Sequence, residues 1–257
     1  MTYMPASERV LRLETLKAQQ DNGQHITIPV NTWSNNKDGG VRQETIKYAQ
    51  SVVDQLPSTF RLLLSAFDYK VTLAPESALS YVDHYRYLPA EQKLRLSPSG
   101  LTNNKTACIF SANESEQWVI IHELGHCVDE VLQSLYVASG HEVDASIAGV
   151  VCSNRSQRRD FTALAARVVT SGALQAIRHL KRPNWEAYSE ADMSMEVFAH
   201  GFQEYYAPVP PDSRARFEET MGELYMYMEQ LEQEASDLIK VALIALRAGR
   251  VDDYLQL

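Results

Sequence analysis

The chain has 257 residues, 45% hydrophobic and 22% charged, a balance that supports a sizeable core and excludes disordered and fibrous classes. A net charge of −9 with a pI near 5.3 argues against nucleic-acid binding, since phosphate needs a basic face. No apolar run approaches the ~18 residues of a bilayer span, and "MTYMPASERVLRLETLKAQQ" lacks the apolar centre of a secretory signal. Cys108, Cys127 and Cys152 have no disulfide spacing and read as reduced thiols. The expected location is cytoplasmic, or outside the cell by a route without a cleaved signal. No membrane partner is expected.

In chain order, residues 1–45 are polar, and "NTWSNNKDGG" (31–40) reads as loop because Asn, Asp and Gly favour turns. "QETIKYAQSVVDQLP" predicts a helix ended by Pro57. "DYKVTLA" (68–74) and "TACIF" (106–110) are short, bounded by turn residues, and read as strands. A helix is predicted from Asn113, with Glu116 completing a capping box and Glu114 complementing the helix dipole. Its apolar positions Val119, Ile120, Ile121, Leu124 and Val128 should bury most of it. Two helices are expected within 141–181, broken near "CSNRSQRRD". Basic residues gather over 155–182 (Arg155, Arg158, Arg159, Arg167, Arg178, Lys181, Arg182) against the single acid Asp160. That is a solvated helix face or a docking patch for an acidic partner. Ser189 and Asp192 can cap a further helix that Pro208 must stop. From Phe217 to Ala245, apolar residues recur at spacings of four and three, a helical seam expected to pack on the protein's own core.

The stretch "IIHELGHCVDEVL" (120–132) carries the chemistry. Residues four apart share a helix face, so His122 and His126 can aim two imidazoles at one point. Imidazole is an ordinary zinc ligand, and a third protein group is needed to hold the ion. Glu123 lies about 100° around the helix, where its carboxylate can reach a water without occupying the metal. Gly125 costs ~1 kcal/mol relative to Ala inside a helix, so a close neighbour should need the space. Asp129, three residues past His126 on the same face, is placed to orient the site.

The third ligand is less determined. A histidine six residues past His126 would mark another class of zinc protease, but Leu132 stands there. "HEVD" offers His141, Glu142 and Asp144. The other candidate is Glu196, with Asp192, His200 and Gln203 beside it on the helical wheel and Met195, Phe198, Phe202 and Tyr205 opposite. On periodicity alone Glu196 reads equally as the middle of a solvated face.

"IIHELGHCVDEVL" together with "MEVFAHGFQEYY" (195–206) resembles the catalytic domain of the anthrax lethal factor family, which includes the Pro-Pro endopeptidases. The similarity runs from about residue 46 to 230, and its specific motifs cover 121–130 and 195–202. The resemblance implies one zinc per chain on His122, His126 and Glu196, with Glu123 as base and Tyr188 as oxyanion donor. Tyr188 lies one residue further from the third ligand than the family spacing. His200 stands where relatives often have an acid, and reads as a group supporting the site, a substrate contact or a core histidine.

The expected fold is α+β, a zincin-like metalloprotease domain, mainly helical with a small mixed sheet. It forms a single domain over 1–257, with a catalytic core at about 46–230 and a helical extension over 231–257. The expected function is zinc-dependent hydrolysis of peptide bonds in a protein substrate, of the toxin or effector type. Substrate is expected along an exposed strand edge, that of Ile109. The alternative is a non-catalytic protein-binding module with a structural zinc.

Overall fold

The computed structural model describes residues 6–32, 43–73, 100–103, 106–109, 117–138, 154–172, 189–207 and 213–249. These are mostly helical, with one small sheet. The N-terminal polar stretch contains a helix its composition conceals, α1 (Ala6–Asp21). Only Val10 and Leu13, one turn apart, are fully buried, so the apolar stripe is too narrow to dominate the sequence. Asn31 and Thr32, expected in a loop, instead end strand β1 (Val30–Thr32). Residues 33–40 of that loop lie outside the described residues.

Helix α2 (Gln43–Val53) stops short of Pro57, whose carbonyl then accepts from the amides of Phe60 and Arg61 and opens α3 (Ser58–Ala66). Asp68, at φ 64°, reverses the chain after α3. Its N–H donates to Ser65 O and that of Tyr69 to Leu64 O, the Schellman pattern, with Asp in the left-handed position usually held by glycine. Strand β2 (Lys70–Leu73) follows directly, with Val71 and Leu73 buried and Lys70 and Thr72 partly exposed.

Strands β3 (Gly100–Asn103) and β4 (Thr106–Ile109) complete a four-stranded sheet in the order β1-β2-β4-β3. The β1–β2 and β2–β4 pairs are parallel (Val30 opposite Val71, Val71 opposite Ala107), and β3–β4 is antiparallel (Leu101 opposite Cys108). This corrects one expectation: the strand of Ile109 is not an edge, because β2 and β3 flank it on both sides. The edges among the described residues are β1 and β3.

Helix α4 (Gln117–Ala138) lies against β3 and β4 on one side and α6 (Glu190–Tyr206) on another. Val119, Ile120, Ile121, Leu124 and Val128 are all buried, as their spacing predicts. The capping residues Asn113, Glu114 and Glu116 lie outside the described residues. Ser189 caps α6 as expected, its side chain accepting from the Asp192 amide. Met195, Phe198 and Phe202 are buried, and Tyr205 is half-buried.

Within 141–181 one α-helix is described, α5 (Arg159–Thr170), entered through a short 3-10 turn, Arg155–Gln157. Of the basic residues described there, Arg155, Arg158 and Arg167 have partners within the chain, and Arg159 is exposed. Arg155 is buried between Asp160 and Glu234, Arg158 stacks 4.0 Å over the Tyr136 ring, and Arg167 pairs with Glu223. Arg178, Lys181 and Arg182 lie outside the described residues.

The predicted 217–245 seam is buried from Phe217 to Ala245 against the protein's own core. It is not one helix, however. Non-helical backbone at Met221 (φ −136°, ψ 46°) separates α7 (Ser213–Thr220) from α8 (Gly222–Arg247). Val10 and Leu13 of α1, and Leu238, Ile239 and Ala242 of α8, join the same core cluster as α4 and α6. Neither end of the described chain is therefore an appendage. Among the described residues no helix is long and apolar enough to cross a membrane.

Candidate metal centre

The centre lies where α4 and α6 pack most closely. A Cβ built on Gly125 would stand 3.1 Å from Ala199 Cα and 3.3 Å from Phe202 Cβ, both on α6. This is the close neighbour that a mid-helix glycine implied. The approach brings His122 and His126 of α4 opposite Glu196 and His200 of α6.

Glu196 is the hub. Its Oε2 lies 3.4 Å from His122 Nε2 and 3.9 Å from His200 Nε2, and its Oε1 lies 3.7 Å from His126 Nε2. His122, Glu196 and His200 each offer one ligand atom, all within 4.8 Å of one another, and together they can hold a metal ion. His126 is not a member of that tightest set. Its ring stands edge-on to His122, centroids 4.9 Å apart.

The electrostatics suit a cation. Burial works against the Glu196 carboxylate, but the His122 contact and the fields of His126, His122 and His200 outweigh it and hold its pKa down to about 2. Burial opposes the His122 imidazolium too, yet Glu196 and then Glu123 raise its proton affinity above the ordinary histidine value. His200 moves the other way, well below it, through burial and the neighbouring His122 charge. Without metal, Glu196 is thus ionised, and a cation at the centre would compete with a proton that His122 binds more tightly than an ordinary histidine does.

Two buried atoms point the same way. His122 Nδ1 and Gln203 Oε1 have no partner at hydrogen-bonding geometry. The Gln203 side chain is still near enough to favour protonation of both His122 and His200, while its Nε2 donates to Glu204 Oε1 at 3.0 Å. An imidazole that binds metal through Nε2 carries its proton on Nδ1 and needs an acceptor there, and the unpartnered Oε1 of the nearby Gln203 is the candidate.

Glu123 is 2% exposed and acts on His122 through its charge. Asp129, expected to orient the site, is engaged elsewhere. Its Oδ1 accepts from Ser156 N at 2.7 Å and its Oδ2 from Ser156 Oγ at 2.6 Å. It pins α4 to the 3-10 turn, and burial pushes its pKa up to about 7 against those bonds. Tyr188 and the rival ligand set His141, Glu142 and Asp144 lie outside the described residues.

Sequence reasoning left the role of His200 open and placed Gln203 beside Glu196 without a role. The signal was available for His200: Glu196 and His200 stand four apart on one helix, the same spacing that singled out His122 and His126. No protein-family model matches the chain, and no curated protein matches it at a significant level.

Proposed function

We propose that the protein is a zinc-dependent endopeptidase with a zincin-like catalytic domain similar to that of the anthrax lethal factor family. One observation carries the reading. The Glu196 carboxylate, seventy residues beyond His126 in sequence, lies within 3.7 Å of both histidines of the His-Glu-x-x-His motif. A coincidental motif has no reason to meet a largely enclosed carboxylate from a distant helix.

In this reading His122, His126 and Glu196 hold the ion. Zinc, when bound, supplies a Lewis acid for the scissile carbonyl and makes nearby water more acidic. Glu123 takes the proton of the attacking water and later gives it to the leaving amine. Tyr188 donates to the developing oxyanion, where one aimed donor is worth ~3 kcal/mol. A protein substrate in extended form adds to the β3 edge, which packs beside α4, and its main chain continues the β3–β4 antiparallel ladder. Delivery as a toxin or effector fits the resemblance.

The test is cleavage of a broad peptide library, read by mass spectrometry, by the zinc-loaded protein beside Glu123→Gln. The reading expects discrete cleavage products that fall at least a hundredfold in the variant, a general base being worth roughly 10²–10⁴. Products unchanged by the substitution, or none from either protein, would contradict it. A second reading, a non-catalytic binding module around a structural zinc, draws on the fourth donor His200, because structural zinc sites are closed by four protein ligands.

A further inference from the structure

We infer that His200 is itself a metal ligand, and that with His122, His126 and Glu196 it closes the resting centre to water. The inference rests on the proposed zinc site and concerns how that site is kept at rest.

The three Glu196–imidazole separations, 3.4, 3.7 and 3.9 Å, all exceed an ordinary N–H···O hydrogen bond of about 2.7–3.2 Å. They approach the spacing of ligand atoms around a shared ion: zinc bonds near 2.1 Å at tetrahedral angles set neighbouring donors about 3.4 Å apart. His200 meets this condition as the motif histidines do. Together with His122 and Glu196 it forms the set in which every ligand atom lies within 4.8 Å of the others, a set His126 does not share. The His122 and His200 rings lie 4.4 Å apart, tilted by 53°, converging on the same carboxylate oxygen, Oε2.

A group that only supported the site would stand behind a ligand and bond to its far nitrogen. His200 does not; its Nε2 faces Glu196 Oε2, the same oxygen that His122 Nε2 faces. A substrate contact would be open to solvent, whereas the His200 side chain is only 13% exposed. Three imidazoles and one carboxylate fill a four-coordinate zinc, so no position is left for the water that Glu123 serves until a ligand leaves. His200 is the ligand outside the His-Glu-x-x-His motif and its glutamate partner, and so the one whose departure restores three protein ligands and an open position. The centre is thereby latent, and substrate entry is the event that displaces His200.

The decisive experiment is X-ray absorption at the zinc edge on the full-length zinc-loaded protein, counting coordinated imidazoles. His200→Ala and the larger His200→Gln are measured alongside, with circular dichroism as a check on folding. Three imidazoles in wild type and two in either folded variant are expected. Cobalt-substituted protein supplies a second readout: azide, a probe for an open position, should leave the wild-type visible spectrum unchanged and alter that of His200→Gln. Two imidazoles in wild type and variants alike would overturn the inference while leaving the zinc site standing. Azide changing the wild-type spectrum as much as the variant's would overturn closure. Absence of zinc from all three proteins would sink this inference and the proposed function together.

Discussion

Gly125→Ala tests the packing that assembles the centre. The added methyl would lie 3.1 Å from Ala199 Cα, 3.3 Å from Phe202 Cβ and 3.4 Å from Ala199 O, against carbon contacts that are comfortable near 3.5–4.0 Å. Two of these neighbours are main-chain atoms, which no rotamer change can move aside. The helices must therefore separate by roughly 0.5 Å to restore ordinary contact. Overpacking of this kind costs about 1–3 kcal/mol. The better helix propensity of alanine returns ~1 kcal/mol. The net expectation is a destabilisation of about 0–2 kcal/mol, the difference of those two ranges. The effect on metal should be larger, because ligand positions must hold to about 0.2 Å. Urea unfolding of the metal-free protein gives the first quantity, and competition with a chromophoric chelator gives zinc affinity. A variant about 1 kcal/mol more stable than wild type, with zinc affinity unchanged, would refute the claim that Gly125 is there to admit Ala199.

Gln203→Leu removes the candidate acceptor for His122 Nδ1 while preserving volume, and zinc affinity in the same chelator competition should fall roughly tenfold or more. Unchanged affinity would mean that Gln203 does not support the ligand. Asp129 is a carboxyl whose folded pKa, about 7, lies above its ordinary 3.8. The folded state therefore binds its proton more tightly, and the stability this contributes is complete below pH ~4 and lost as pH rises through about 7. Asp129→Asn keeps the Ser156 N–H bond without the charge. It should match wild type near pH 4 and exceed it by up to about 4 kcal/mol at pH 8, measured by urea unfolding of the metal-free protein.

Legibility in the sequence followed the width of the signal. Helix α4 could be read because apolar residues surround it, and α6 because Ser189 caps it and Phe198 and Phe202 mark one arc. Strands β2 and β4 announced themselves by β-branched residues between turns. Helix α1 did not, since two buried apolar residues in a polar run leave almost no periodicity. Strand β1 has three residues, two of them exposed, and belongs to the sheet only through its parallel partner 41 residues away. The error over Ile109 has the same origin, since which strand is an edge depends on order in the sheet, and β3 is too short and polar to be seen alone. The break at Met221 falls within an unbroken seam of four-and-three spacings, so no pattern of apolar residues could reveal it.

At the centre, spacing on one helix could pair His122 with His126 and Glu196 with His200. Bringing the two pairs together required knowing that Gly125 meets Ala199, a contact between residues 74 apart in the chain. The partner of Asp129 was out of reach for a related reason. It shares the metal-facing turn in sequence, but its bonds go to Ser156 in a segment with no pattern of its own.

The most direct test of the account is the zinc-to-protein ratio of wild type beside Glu196→Ala, by elemental mass spectrometry after dialysis against a weak chelator. Glu196 is the group that every imidazole approaches, so the account predicts close to one zinc per wild-type chain and a marked loss in the variant. Equal zinc in both proteins would contradict the placement of Glu196 at the heart of the site, and none in wild type after zinc is supplied would contradict the site itself.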